Sequence, residues 1–197
     1  MKKAIIGSGG FAKEVKCILL DNNPNEEIEF FVDDQYVDQT SQPLSTLNVK
    51  EYEVVIAIGD PKVRKSILDK LPKNTKFFIV KHKSAQILDN NIFIGEGSII
   101  CPNTIITTNV KIGKHAHLNL ATTIGHDTTI GDFFTTAPGA KISGNCKIGD
   151  CVYIGTNSSI REKIEICDDV TIGLGSGVVK SINIPGVYGG IPTNKIK

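Results

Sequence analysis

The sequence predicts a two-part chain: a small α/β unit, Rossmann-like in its βαβ order, over residues 1–81, and a parallel β-helix over residues 82–197. Three observations predict it. Strand and helix patterns alternate up to about residue 81, a glycine-rich turn follows the first strand, and a six-residue repeat takes over from residue 94.

The first unit reads in order. Lys3–Ile6 is a short apolar strand, and Gly7-Ser8-Gly9-Gly10 turns the chain. Val15, Ile18 and Leu19 then recur at helical spacing within Phe11–Leu20. Asp21–Asn25, with Pro24, is a turn. Ile28–Val32 is a second strand ending in Asp33-Asp34, and the uniformly apolar Val54–Ile58 is a third, covered on both faces. A helix over about Lys62–Leu71 and a strand over Lys76–Val80 complete the unit. Strands alternating with helices imply a small parallel sheet.

From Ile94 the chain keeps a different period. Stepping by six from Ile94 reaches Ile184 through sixteen positions, of which fifteen are Ile, Leu or Val and one is Thr136. Gly often follows, at 95, 113, 125, 131, 149, 155 and 173. The fourth residue after the aliphatic is small or β-branched, as at Ser98, Thr104, Ala116, Thr122, Ala140 and Cys146. Neither the strand period of about 2 nor the helix period of about 3.6 explains this. One large and one small inward residue per hexad makes a short flat strand and a turn. Three such sides close a triangular coil of about 18 residues, and stacked coils pair in parallel with their aliphatics in ladders. Glycine after the aliphatic is expected to supply backbone freedom at the corner. The hexads are expected to run unbroken from 94 to 184, with Thr136 a satisfied buried hydroxyl or a distortion near a site.

Composition narrows the function. Hydrophobic residues make up 40% of the chain and net charge is +1, so nothing points to nucleic acid or an anionic membrane surface. No apolar run approaches the roughly 18 residues of a membrane helix, and the N-terminal apolar stretch is too short for a signal peptide. Five cysteines without a CxxC pair suit a reduced, cytoplasmic protein whose thiols act as small apolar groups.

Few residues can carry chemistry. Of four histidines, His126 stands two after an inward Ile, so it belongs to a corner and points outward. It is a plain surface histidine or a base facing a neighbouring subunit. Asp127 beside it can fix the imidazole tautomer and raise its basicity. His115 and His117 share an earlier hexad, and one of them is an ordinary face residue. The spacing of these three does not suit a zinc site, so no metal is expected. Gly7-x-Gly9-x-x-Ala12 with Asp33 downstream fits a dinucleotide fingerprint. About 80 residues hold one mononucleotide unit only, so the turn reads as a nucleotide or nucleotide-sugar site without NAD, or as a tight turn with no ligand.

Ile5-Ile6-Gly7-Ser8-Gly9-Gly10, Phe31-Val32-Asp33-Asp34, Ala57-Ile58-Gly59-Asp60 and Ile124-Gly125-His126-Asp127 together resemble the hexapeptide-repeat sugar acetyltransferase family. That family includes bacterial nucleotide-4-amino-sugar N-acetyltransferases and sialic acid O-acetyltransferases. The resemblance covers both units in order. It implies a left-handed helix, a homotrimer with sites between adjacent prisms, and acetyl-CoA as co-substrate. It also implies His126 as general base, Asp127 orienting it, Asn119 near the reacting amine, and the Gly144 N–H as oxyanion donor. Gly155, Gly173 and the tail through Pro192 would line the coenzyme channel. Gly9, Asp33, Asp34 and Gly59 would meet a nucleotide-sugar acceptor used in bacterial surface glycan synthesis. Some members carry a second histidine nine residues after the base, near the pantetheine; this chain has Thr135 there, whose hydroxyl is expected to make the coenzyme contact in its place. The tail has Thr193-Asn194 where Ala-Lys is common. Two other readings stay open: O-acetylation of sialic acid or another sugar, and a non-catalytic hexapeptide assembly module.

Overall fold

The computed structural model describes all 197 residues. Its first unit is a five-stranded parallel sheet in the order β3-β2-β1-β4-β5. β1 (Lys2–Ile6) lies at the centre, between β2 (Ile28–Val32) and β4 (Tyr52–Ile56). Ala4, Ile5, Ile6, Val54, Val55 and Ile56 are fully buried, as a strand covered on both faces requires. β5 (Lys76–Phe77) forms one edge. The other edge, β3 (Gln42–Pro43), was not expected from the sequence. Two residues give no period to read, and Pro suits an edge strand because it has no ladder N–H to donate.

α1 (Gly10–Asn22) buries Ala12, Val15, Ile18 and Leu19 along one stripe. α2 (Pro61–Lys70) starts sharply: the Asp60 carboxylate accepts the N–H groups of Lys62 (2.8 Å) and Val63 (3.0 Å), and Pro61 takes the first helical position. Such a cap stabilises a helix by about 1 kcal/mol.

The strand expected over Lys76–Val80 divides. β5 ends at Phe77, and Val80–Lys81 pairs with Ile99–Ile100 as the first rung of the second unit. Val80, Ile99 and Cys101 join Val15, Ile18 and Val55 in one apolar cluster. α1 is therefore sandwiched between the sheet and the first coils, and the two units share a core.

The second unit is a parallel solenoid with three faces. The first runs from Val80–Lys81 through Ile99–Ile100, His117–Leu118, Thr135–Thr136 and Tyr153–Ile154 to Val170–Ile172. The second climbs from Gln86–Ile87 to Gly177–Val178, and the third from Phe93–Ile94 to Glu165–Ile166. The hexad aliphatics from Ile100 to Val178, the small fourth-position residues and Phe134 line the buried interior. Each fully buried aliphatic contributes roughly 1.5–3 kcal/mol.

Thr136 is a satisfied hydroxyl. Its Oγ1 accepts the Asn119 N–H (2.9 Å) and shares a hydrogen bond with Thr122 Oγ1 (2.7 Å). Phe134, two residues earlier, puts a ring where other coils have a small residue, and this fills the volume that Thr136 leaves.

Three expectations about the repeat need correction. It starts before Ile94: Ile87 pairs with Ile106 while Ile94 pairs with Ile112, so one extra residue in the first coil hides the earlier rungs from a count by six. It also stops before Ile184. Ile166 bridges to Ile182 and Ile172 pairs with Tyr188, so the last turn is two residues short and Ile184 is 60% exposed. Finally, the glycine after the aliphatic does not serve backbone freedom. The left-handed conformation falls two residues later, at Asn103, Asn109, Asp127, Asn145 and their equivalents. The glycines are needed because coils touch there: a Cβ on Gly113 would stand 2.6 Å from the backbone of Gly131, and one on Gly125 2.5 Å from Gly144 N.

Candidate active site

His126 stands on the corner between the second and third faces, its side chain 58% exposed, pointing outward as its phase requires. Its Nδ1 lies 2.7 Å from Asp127 Oδ2. A carboxylate accepts, so Nδ1–H donates and Nε2 keeps its lone pair for an incoming proton. Asp127 adopts φ +56° at the corner and is held from the coil below, where Asn109 Nδ2 donates to its Oδ1 at 2.6 Å. That amide first, and His126 second, keep the Asp127 carboxyl below its usual range.

Gly144 lies one coil above His126. A Cβ there would come within 2.6 Å of His126 Nε2, so only glycine leaves room for the ring. At the equivalent position of another corner, the N–H groups of Lys114, Asp132 and Asp150 are each capped by an aspartate from the next coil. The Gly144 N–H has no partner of this kind and makes no hydrogen bond within the chain. The corner thus joins a free imidazole nitrogen to a free backbone donor.

Asn119 is not beside His126 in the same prism. It stands at the preceding corner, with the strand Thr123–Ile124 between them. There it lines a cleft of about 260 Å³ with Phe11, Gly59, Thr135, Tyr153 and Pro138. Its Oδ1 accepts the Leu120 N–H at 2.7 Å. Ala137, Gly155 and Gly173 rise above Asn119 at the same corner, a column almost free of side chains. A Cβ on Gly155 would already meet Gly173 at 2.7 Å. Pro192 sits in the exposed tail, which the Thr193 N–H ties back to the Gly177 carbonyl (2.9 Å).

Thr135 faces the first unit. Its hydroxyl accepts from Arg64 Nη2 (2.8 Å) and donates to the Gly59 carbonyl (3.3 Å), and the residue is 4% exposed. Of the four residues expected to meet a nucleotide, Asp33 lines a cleft of about 370 Å³ at the C-terminal edge of the sheet, with Gly7, Ser8, Ile58 and Tyr36. Ligands of open α/β sheets bind at that edge. Asp33 is paired there with Lys70. Asp34 points away and accepts the Ser45 N–H (3.1 Å), pinning the turn Leu44–Thr46. Gly9 precedes α1 outside this cleft. Gly59 lines the cleft at Asn119 and a larger one of about 940 Å³, which is shared with Lys62, Asp169, Gly186 and Lys195. Lys62 and Asp169 bridge that cleft at 3.1 Å.

His115 and His117 are both structural. His117 Nε2–H donates to the Ile56 carbonyl (2.9 Å), and Nδ1 accepts from Arg64 (3.1 Å). His115 stacks on Phe133 and meets Phe77 edge-on, with Nδ1 unpartnered. Burial, then the Arg64 charge, pushes His115 down to about 4 and His117 well below the usual imidazole range. No group of three or more His, Cys, Asp or Glu is placed to hold a metal ion. Sequence reading missed Asn109 and Arg64. Arg64 carried a signal, since with Pro61 and Ile67 it falls on the apolar stripe of α2.

Comparison with known proteins gives consistent results. The family profile described as PglD N-terminal domain matches residues 2–71, and the one described as bacterial transferase hexapeptide (six repeats) matches 121–162. The GDP-perosamine N-acetyltransferase of Escherichia coli O157:H7 is 30% identical over 159 residues, covering 71% of this chain and 69% of that relative. WeeI from Acinetobacter baumannii AYE superposes over 100% of both chains with TM-score 0.89 and 32% identity. PerB from Caulobacter crescentus, solved with CoA and GDP-perosamine, covers 100% of this chain and 98% of its own (TM-score 0.89); at 22% identity it supports the fold alone.

Proposed function

This chain belongs to the hexapeptide-repeat sugar acetyltransferases, and on that premise we propose that it transfers the acetyl group of acetyl-CoA to the amine of a nucleotide-linked 4-amino-deoxysugar. The observation that carries the reading is the corner where His126 Nε2, oriented by the hydrogen-bond chain through Asp127 and Asn109, lies against Gly144, whose N–H is uncapped. The E. coli relative, which by its name acetylates GDP-perosamine, supports an amine acceptor on a nucleoside diphosphate. The cleft at Gly7, Ser8 and Asp33 supports a nucleotide held by residues 1–81, and residues 82–197 then form the transfer unit.

Acetyl-CoA supplies the acetyl group as a thioester. Asn119 orients the acceptor amine, and His126 Nε2 takes the proton that the nitrogen sheds as it attacks the thioester carbonyl. Asp127 holds the imidazolium that forms. The Gly144 N–H receives the oxygen as it gains negative charge, and the proton on His126 leaves with the departing thiolate. The column of Ala137, Gly155 and Gly173, closed by the tail at Pro192, gives the coenzyme's thin chain a track without protruding side chains. His126 and Asn119 occupy different corners of one prism, so a homotrimer in which a corner of one copy faces the next completes the site.

The test incubates the protein with acetyl-CoA and UDP-, dTDP- or GDP-linked 4-amino sugars or free sialic acid, and reads one added acetyl group by mass spectrometry. Acetylation of a nucleotide amino sugar is expected. Transfer to sialic acid alone would replace the acceptor, and no transfer to any of them would end the reading.

A further inference from the structure

α2 sends Arg64 into the seam between the two units, where it is completely buried. No carboxylate meets it. Its Nε donates to the His115 carbonyl (3.0 Å), Nη1 to the carbonyls of Ile58 (2.6 Å) and Gly59 (3.3 Å) and to His117 Nδ1 (3.1 Å), and Nη2 to the Phe133 carbonyl (2.8 Å) and Thr135 Oγ1 (2.8 Å). Burial pushes the guanidinium down to about 9, which leaves it charged at neutral pH. A buried charge is tolerated only where polar groups surround it, and here they come from two consecutive coils and from the chain just before α2.

What Arg64 holds is more informative than how it is held. The segment Ile58–Val63 touches all three clefts: Ile58 and Val63 line the one at the sheet edge, Gly59 the one at Asn119, and Gly59 to Lys62 the large one. A rigid fork with five donors can grip two carbonyls of that segment and two coils at once, whereas an ammonium cannot. We infer that Arg64 is a positioning residue, which fixes the Ile58–Gly59 carbonyls to the coil edge at His115–Thr135 and so sets where a sugar held by the first unit stands relative to Asn119. The inference rests on the proposed acceptor class, but the latch itself does not depend on turnover. It also reassigns Thr135, whose hydroxyl joins Arg64 to the Gly59 carbonyl and serves the acceptor side of the site.

Two variants and two measurements test it. Arg64→Lys keeps the charge and loses the fork, and Thr135→Val removes the hydroxyl's two hydrogen bonds, to Arg64 and to the Gly59 carbonyl, and leaves Arg64 in place. Hydrogen–deuterium exchange in the full-length protein is expected to speed up in the peptide covering residues 58–63 in both variants, with the coils still protected. In kinetics with acetyl-CoA and whichever nucleotide amino sugar the wild type acetylates, Thr135→Val is expected to raise the acceptor KM about tenfold, as loss of the hydroxyl's buried hydrogen bonds implies, with the acetyl-CoA KM unchanged. Arg64→Lys is expected to raise it further. Unchanged exchange in 58–63 in both variants would overturn the latch, whether or not the wild type turns over any sugar. A rise in the acetyl-CoA KM alone would overturn it too and make Thr135 a coenzyme contact. Equal losses in both KM values with a lowered melting temperature would leave Arg64 a purely structural residue and reject the inference.

Discussion

At the residue scale, the proposed mechanism makes His126 and Gly144 one unit. His126→Ala is expected to lower kcat by about 10²–10⁴, the usual contribution of a general base. Gly144→Ala is expected to do comparable damage by a different route, because the new methyl would stand 2.6 Å from Nε2, too close for the ring to keep its place. Circular dichroism and thermal melting should stay close to wild type in both, since the His126 ring is exposed and holds the nearest atoms that a methyl on Gly144 would meet; a Gly144→Ala enzyme with normal kcat would detach Gly144 from the site. His126 and Asp127 were legible because they are neighbours in sequence. Asn109 was not, because its contact with Asp127 exists only once the coils are stacked. His115 predicts a pH effect. Its folded pKa of about 4 lies below the ordinary 6.5, so below 6.5 the unfolded chain binds the extra proton. Stability should therefore fall as pH drops from about 6.5 to 4, by up to ~3 kcal/mol from this group. His115→Phe, beside Phe133 and Phe77 and with no nitrogen left unpartnered, should make that slope shallower in denaturant titrations at pH 7, 5.5 and 4.5, leaving the part that buried His117 contributes.

At the scale of the element, the coil is fixed by what cannot be added to it. A Cβ on Gly113 would meet the Gly131 backbone at 2.6 Å and Asp132 Oδ1 at 2.3 Å, and neither is free to move without shifting the coil above. Gly113→Ala should cost about 1–3 kcal/mol, as overpacking does, and lower the melting temperature. Gly10, at the start of α1, has nothing within 4 Å of its missing Cβ, so Gly10→Ala should be neutral or raise stability by up to about 1 kcal/mol. Equal effects of the two substitutions would contradict the close-approach account. The repeat itself was plain in the sequence, because one aliphatic per six residues survives any local irregularity. Its ends were hidden by one extra residue near Ile92 and two missing ones after Val178, which shift the phase that the count relies on.

At the scale of the whole molecule, the order of the two units was readable from the change of rhythm, but their docking was not. α1 had to be seen wedged against Ile99 and Cys101, and Arg64 buried against the coils, before the first unit could be placed beside Asn119. That placement leaves His126 at another corner of the same prism. If each site combines the Asn119 of one copy with the His126 of the next, two inactive variants should repair each other. Co-expressed Asn119→Ala and His126→Ala chains, mixed at random in trimers, place an intact Asn119 opposite an intact His126 in about a quarter of the sites. The mixed preparation should then recover about a quarter of the wild-type rate, while each variant expressed alone stays inactive. A site built within one chain predicts no recovery, because every copy in the mixture lacks one of the two residues. Recovery therefore tests at once the trimer, the sharing of the site between copies and the pairing of these two corners.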